Sequence, residues 1–347
     1  MARVAETAVV EHNGMMPSIS VVIPVYCGVN TVQQVVEGVV RILAEAGIAF
    51  EIILVDDGSP DETWSILHRI HQERPNVIKA IQLMRNFGQH NAIMCGLRHA
   101  KGDYIITMDD DGQHPPEEIP KLLRAIEQTG ADVVYGVPRE RSHAPWRNLG
   151  SWIVVTFYKL VFRTHVTPSA FRVMRRQVVE AILSYDLNYT YIDGLLAWNT
   201  DRIAQIEVEH RPRKVGRSGY NFAKLFTLAM NLFTNFSLLP LQVVSATGFV
   251  VALAGLVLGL YYFLQKIVGN IAVPGYASLI VAVLFLGGLQ LLALGIIGEY
   301  LGRIHLNINK QPQYSIREVL MAAVAEANTT SEASNSSSSI DTNSREI

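Results

Sequence analysis

Tyr104-Ile105-Ile106-Thr107-Met108 leads directly into Asp109-Asp110-Asp111-Gly112-Gln113-His114-Pro115-Pro116-Glu117-Glu118. The first five residues are the apolar, β-favouring kind that fills a buried strand. Three carboxylates then stand in a row at its end. Like charges at this density repel one another, and burying one costs free energy unless a cation or hydrogen-bond donors compensate it. A divalent metal ion would do so. A solvated acidic turn ahead of a helix would also account for them, since Pro115 and Glu117 suit a helix's first turn. The neighbouring elements discriminate between the two.

Upstream, residues 18–26 form a β-branched stretch expected to be a strand, followed by a helix-period stretch at 31–46 and a second strand at 51–55. That strand ends in Asp56-Asp57-Gly58-Ser59-Pro60-Asp61, where Ser59 or Asp61 can cap a helix at 62–73. A strand at 77–83, a helix at 91–100, a helix at 116–129 and a strand at 132–135 continue the alternation. Such alternation implies parallel βαβ units wound right-handed. In open sheets of this kind, ligands bind beyond the carboxyl ends of the strands. The turns at Asp56-Asp57 and Asp109-Asp111 should therefore face one crevice, which favours the metal reading.

The chain has 347 residues, so it has room for more than one domain, and its apolar content is 49% with a formal net charge of −2. Its mean hydropathy of +0.21 is high for a soluble protein. The charge balance argues against a nucleic-acid partner. Cys27 and Cys95, the only cysteines, are too few for a disulfide framework. Residues 1–17 are expected to be a flexible leader without a secretory core, and 18–222 a cytosolic domain. Past residue 135, the basic loop carrying Arg139, Arg141, His143 and Arg147 precedes an apolar-aromatic helix at 149–162, either core or interfacial. Helices to about residue 183 and at 192–199, then a strand at 202–209, complete the polar part. The most basic window follows, His210-Arg211-Pro212-Arg213-Lys214-Val215-Gly216-Arg217-Ser218-Gly219-Tyr220, and suits a lipid headgroup or phosphate at a bilayer. An interfacial amphipathic helix at 223–240, spans at 241–264 and 277–297, a segment at 298–324 and a disordered tail at 325–347 are expected next. Lysine and arginine are more frequent on both flanks of this hairpin than in its loop, which places the large N-terminal domain in the cytoplasm.

A crevice of carboxylates suits the Mg²⁺ or Mn²⁺ complex of a nucleoside diphosphate, because these hard ions prefer oxygen ligands. No Walker lysine loop and no GxGxxG turn follow the first strand, so ATP hydrolysis and dinucleotide redox chemistry fall behind. Val55-Asp56-Asp57-Gly58-Ser59, Arg85-Asn86-Phe87-Gly88-Gln89-His90-Asn91-Ala92, the Asp109-Glu118 stretch and Gly298-Glu299-Tyr300-Leu301-Gly302-Arg303 together resemble the family 2, GT-A-fold polyprenyl-phosphate glycosyltransferases. That group includes dolichyl-phosphate mannose synthases, bactoprenol glucosyltransferases and the undecaprenyl-phosphate formamidoarabinose transferase. The resemblance covers about residues 18–318. It implies an α/β, Rossmann-like GT-A domain with a mostly parallel sheet, interfacial helices and a two-helix transmembrane hairpin. It also implies inverting transfer of a sugar from a nucleotide-sugar donor, a UDP-sugar being favoured, to a polyprenyl phosphate at the cytosolic face of a bacterial inner membrane. A homo-oligomer, tetrameric in similar proteins, is implied too.

By the same resemblance, Asp109 and Asp111 match the metal-binding DxD pair, Asp110 its variable position and Gln113 the glutamine that follows; with Arg139 these form the expected catalytic set. Pro24, Tyr26, Asp56, Asp57, Asn86, Gln89, Asp109 and Asp110 match nucleotide-binding positions, Asp57 being the preferred partner of the base. Arg141, Arg172, Arg213, Arg217, Ser218 and Tyr220 are expected near the acceptor phosphate. The chain departs from the pattern at Val166-Thr167-Pro168-Ser169-Ala170, where an acidic residue is usual, at Gly219, where lysine is usual, and at Gly112, usually leucine. A catalytically silent membrane scaffold is the competing class. A processive synthase would carry a QxxRW motif and more spans, and a sugar nucleotidyltransferase has no need of the hairpin.

Overall fold

The computed structural model describes residues 18–138, 165–186, 190–211, 239–268, 275–309 and 312–322. Strand β1 (Ile19–Val25), helix α1 (Val32–Glu45), β2 (Phe50–Asp56), α2 (Thr63–Glu73), β3 (Ile78–Leu83), α3 (Gln89–His99) and β4 (Tyr104–Thr107) follow in alternation. A 3₁₀ turn at Pro116–Glu118 leads into α4 (Ile119–Thr129), then β5 (Val133–Pro138), β6 (Arg172–Arg175), α5 (Arg176–Leu183), α6 (Ile192–Asn199) and β7 (Ile203–Val208). Two long helices, α7 (Leu239–Ile267) and α8 (Tyr276–Ile308), precede β8 (Ile316–Leu320). The expected helix at 149–162 and that at 223–240, save its last two residues, which belong to α7, lie outside the described residues with the leader and the tail.

The described strands form one eight-stranded sheet in the order β7-β5-β6-β4-β1-β2-β3-β8. β1 is parallel to both β2 and β4, β2 to β3, and β5 to β7. The antiparallel members are β6, between β4 and β5, and β8, on the β3 edge. Neither was expected from the sequence. Arg-Val-Met-Arg has a charge at each end, and Ile-Arg-Glu-Val-Leu is short and half polar, so neither gives a strand signal until a neighbouring strand supplies its hydrogen bonds.

Alternation of side chains along the strands divides the core in two. Val22, Ile53 and Val55 pack under α3, α5 and α6 with Met94, Val179 and Leu195. Val21, Ile23 and Leu54 pack under α1, α2 and α4 with Val36, Leu67 and Leu122. Strands covered on both faces read as nearly continuous apolar runs, which is why β1, β2 and β4 were legible. Helix α3 lies close enough to the sheet that a Cβ on Gly96 would collide with Val22 Cγ1.

The last two helices are of a different kind. Leu241–Tyr261 and Phe285–Ile308 are long and apolar enough to cross a membrane, with hydropathies of 2.3 and 1.4, and neither is buried in the protein. Phe249, Leu256 and Leu291 are each at least 70% exposed. Helix α8 runs well beyond the expected end at residue 297. A hydropathy window marks where apolar residues stop, whereas backbone hydrogen bonding continues through Glu299 and His305.

Candidate active site

The crevice arises from the register of three parallel strands. Val25 pairs with Asp56 and Val22 with Thr107, so the turns after β1, β2 and β4 emerge side by side at the carboxyl edge. The Asp57 N–H donates to Val25 O (2.9 Å) and the Met108 N–H to Val22 O (3.3 Å), which fixes where each turn begins. A cavity of about 310 Å³ lies there, lined by Pro24, Val25, Tyr26, Asp57, Asn86, Gly88, Gln89 and all three of Asp109, Asp110 and Asp111. Seven of the eight expected nucleotide-binding residues thus share one pocket. Val25 and Gly88 were not anticipated; only the folded backbone brings them to the wall.

Asp57 is the best-defined of these. Its two carboxylate oxygens accept the backbone N–H groups of Phe87 (2.7 Å) and Gly88 (2.9 Å). Burial pushes its pKa up to about 6, assisted by the charge of Asp56 and opposed by those two N–H donors. The turn after it is locked against the same loop. Gly58 has φ +65°, and a Cβ there would strike the backbone of Arg85, so only glycine admits the approach.

In the acidic triplet, Gln89 Nε2 donates to Asp109 Oδ1 (2.6 Å), and the Gln113 N–H donates to Asp111 Oδ1 (3.0 Å). Asp110 stands against Gly28, where an added Cβ would meet its Oδ2. The same approach explains why the β1–α1 turn carries a glycine. Beside it Cys27 adopts φ +56°, an uncommon conformation for a residue with a Cβ, and its N–H donates to Ser59 Oγ (3.0 Å). On the far side of Asp111 a second cavity, about 450 Å³, is lined by Asn30, Gln34, Arg41, Glu117 and Arg211 among others. Arg41 pairs with Glu117 at 2.8 Å, and Arg211 with the same carboxylate at 3.6 Å.

Two expectations need correction. Asp56 is fully buried and is not on the crevice wall; its carboxylate accepts the Ser59 N–H (3.1 Å) and Gln82 Nε2 (3.3 Å). The last residue of the strand alternates inward, whereas the next one, Asp57, lines the crevice. Arg172 was expected at the acceptor phosphate, yet it is 1% exposed. Its Nε donates to Thr107 Oγ1 (2.9 Å), its Nη1 is bonded to Asp193, and Tyr135 OH also donates to Asp193 (2.9 Å). The antiparallel register of β4 with β6 sets Arg172 opposite Thr107 and commits its charge to a buried pair. Asp193, inside the apolar run Ile192–Leu196, went unremarked in the sequence; a lone carboxylate there signals a buried cation. His90 and His114 are pushed down to about 4 by burial, and both are neutral near pH 7. Arg139, Arg141, Arg213, Arg217, Ser218 and Tyr220 lie outside the described residues.

The chain has relatives among known proteins. Residues 20–183 match the model for glycosyl transferase family 2, and residues 239–304 match that for the GtrB C-terminal hairpin. An uncharacterized glycosyltransferase of Synechocystis is 36% identical over 310 residues, covering 88% of this chain and 96% of its own length. Undecaprenyl-phosphate 4-deoxy-4-formamido-L-arabinose transferases are similar as well. That of Shewanella sediminis is 36% identical over 321 residues (90% of this chain, 95% of its own), and that of Proteus mirabilis 37% over 306 (87% and 94%). Among solved structures, glucosyl-3-phosphoglycerate synthase from Mycobacterium tuberculosis, in complex with Mn²⁺, UDP-glucose and phosphoglyceric acid, aligns with a TM-score of 0.48 at 19% identity, covering 63% of this chain and 78% of that one. The chain is a glycosyltransferase of the GT-A kind with a C-terminal apolar hairpin. It belongs to glycosyltransferase family 2.

Proposed function

We propose that the protein transfers a sugar, with inversion, from a nucleotide-sugar donor to a polyprenyl phosphate such as undecaprenyl phosphate at the cytosolic face of a bacterial inner membrane. The observation that carries this is the union, in one chain, of the carboxylate-lined crevice at Asp57 and Asp109–Asp111 with two exposed apolar helices. A soluble acceptor would give the second feature no purpose. The donor's nucleoside would sit between Tyr26, Asp57 and Asn86, with its diphosphate toward the acidic triplet; a UDP-sugar is favoured.

The triplet fits a divalent cation of the Mg²⁺ or Mn²⁺ kind by its donor chemistry. Its atoms are hard carboxylate oxygens, although among the described residues no group of three or more His, Cys, Asp or Glu side chains is placed to hold an ion by itself. An ion of this kind keeps water and substrate phosphate oxygens beside one or two carboxylates. Asp109 and Asp111 would hold it, and it would offset charge growing on the leaving diphosphate. Gln89 and the Gln113 amide hold the two carboxylates in place. The acceptor needs no general base, because a phosphate monoester, with a second pKa of about 6, is already largely ionised near pH 7. Arg139, Arg141, Arg213 and Arg217, with Ser218 and Tyr220, would bind and orient that anion.

Purified protein in detergent or nanodiscs, given Mn²⁺ or Mg²⁺, undecaprenyl phosphate and a panel of nucleotide sugars, is expected to form a lipid-linked sugar detected by mass spectrometry. Asp111→Ala should abolish it. A complete panel without product, from protein that still binds nucleoside diphosphate, would establish the silent-scaffold reading instead.

A further inference from the structure

The strand that follows the apolar hairpin begins beside the loop that lines the donor pocket. Antiparallel pairing of β8 with β3 runs from Ala80↔Leu320 to Gln82↔Glu318, then shifts so that Leu83 opposes Ile316. Arg317 is therefore the extra residue of a bulge, a device that re-aims a side chain. Its Nη2 donates to Met84 O (3.0 Å), while the Met84 N–H donates to Ser315 O (2.8 Å). Met84 is thus held at both backbone groups, and the next residues are the Arg85–Gln89 loop, which contributes Asn86, Gly88 and Gln89 to the pocket wall. The strand is anchored deeper as well. Gln313 Nε2 donates to Tyr185 O (3.2 Å), Tyr314 stands under Arg98 of α3 (5.9 Å), and Ile316 and Val319 pack on the core beside Leu83 and Cys95. Helix α8 reaches Ile308 without interruption, only a few residues from this anchor.

We infer that β8 is a brace that sets the donor loop, with Arg317 as a positioning residue for nucleotide binding. The inference rests on the donor assignment made above. From β2 the loop is held by Asp57; from the opposite side it is held by β8. Removing the Arg317 contact should loosen the Phe87 and Gly88 amides and weaken the nucleoside pocket, leaving Asp110 and Asp111, whose contacts to Gly28 and to the Gln113 N–H lie outside this loop, in place.

The test uses the full chain in nanodiscs, comparing wild type, Arg317→Ala and Arg317→Lys. Arg317 is an exposed residue, and the alanine variant is expected to keep the wild-type melting temperature. Hydrogen exchange of the Phe87 and Gly88 amides should accelerate in Arg317→Ala. The Kd for UDP in the presence of Mn²⁺, by calorimetry, should rise about 3- to 10-fold, the scale of one hydrogen bond. KM for the donor should rise in parallel with kcat little changed, and Arg317→Lys should recover most of the affinity. Unchanged exchange and unchanged Kd in Arg317→Ala would overturn the brace. Wild-type protein that binds none of UDP, GDP, CDP or dTDP would overturn the donor assignment itself, and the inference with it.

Discussion

At the scale of single residues, the acidic triplet is divided by what each carboxylate touches. Asp109 and Asp111 are oriented by Gln89 and by the Gln113 amide, while Asp110 packs against the Gly28 backbone. Asp110→Ala is accordingly expected to keep most of the transfer rate, and Asp111→Ala to lose it by at least about 10²-fold, as for removal of a group that stabilises transition-state charge; steady-state rates with the lipid acceptor compare them. Asp57 predicts a pH dependence. Its folded pKa, about 6, lies above that of a free carboxylate. Protonation as pH falls through 6 removes the charge that holds the Phe87 and Gly88 amides, so nucleotide affinity should fall below about pH 6 and be level above it. Asp57→Asn should bind weakly and show no such break. The stability linkage has the opposite sense: the contribution of this group is fullest below about pH 4 and is lost as pH rises through 6. Strain of this kind is what a binding site retains at the expense of the fold.

At the scale of elements, the contacts between helix and sheet set tolerance. Gly96 on α3 faces Val22 and Val55, both fully buried in parallel strands that cannot retreat. Gly96→Val should therefore destabilise the protein by about 1–3 kcal/mol through overpacking, seen as a lower denaturation midpoint with an unchanged denaturant slope. The elements legible in the sequence were those whose signal is local. β1, β2 and β4 are apolar runs, α1 and α4 show helical periodicity, and their ends fall within a few residues of expectation. β6 and β8 were missed because each is defined by a partner: β6 by Thr107 and Val134 across the ladder, β8 by β3. The error over Arg172 has the same origin. An arginine within a run of basic residues looks like an anion binder until Asp193, distant in sequence, is placed against it.

At the scale of the whole molecule, the chain leaves the sheet after β7 and returns to it at β8. Under the membrane reading this return requires an even number of crossings between them, in accord with the two apolar helices and with the basic residues on both flanks. A topology experiment follows from native chemistry. Cys27, in the β1–α1 turn, is exposed and Cys95 is buried. In intact spheroplasts an impermeant maleimide should label Asn270→Cys in the hairpin loop, while Cys27 reacts only after permeabilisation. Labelling of Cys27 without permeabilisation would reverse the orientation.

The acidic run after Tyr104–Met108 already determined a good deal within the sequence itself. Alternating apolar segments dictated parallel βαβ units, a carboxylate cluster at a strand end required compensation, and a long apolar pair demanded a low-dielectric surrounding. These are consequences of burial and charge that a residue carries wherever the chain goes. Only the tertiary structure decided which carboxylates line the crevice and which lie in the core, because the turn after β2 sets Asp57 on the crevice wall while strand alternation leaves Asp56 inside. It also decided that the segment beyond the hairpin closes the sheet at β3, since a strand exists only where another strand offers its unpaired backbone.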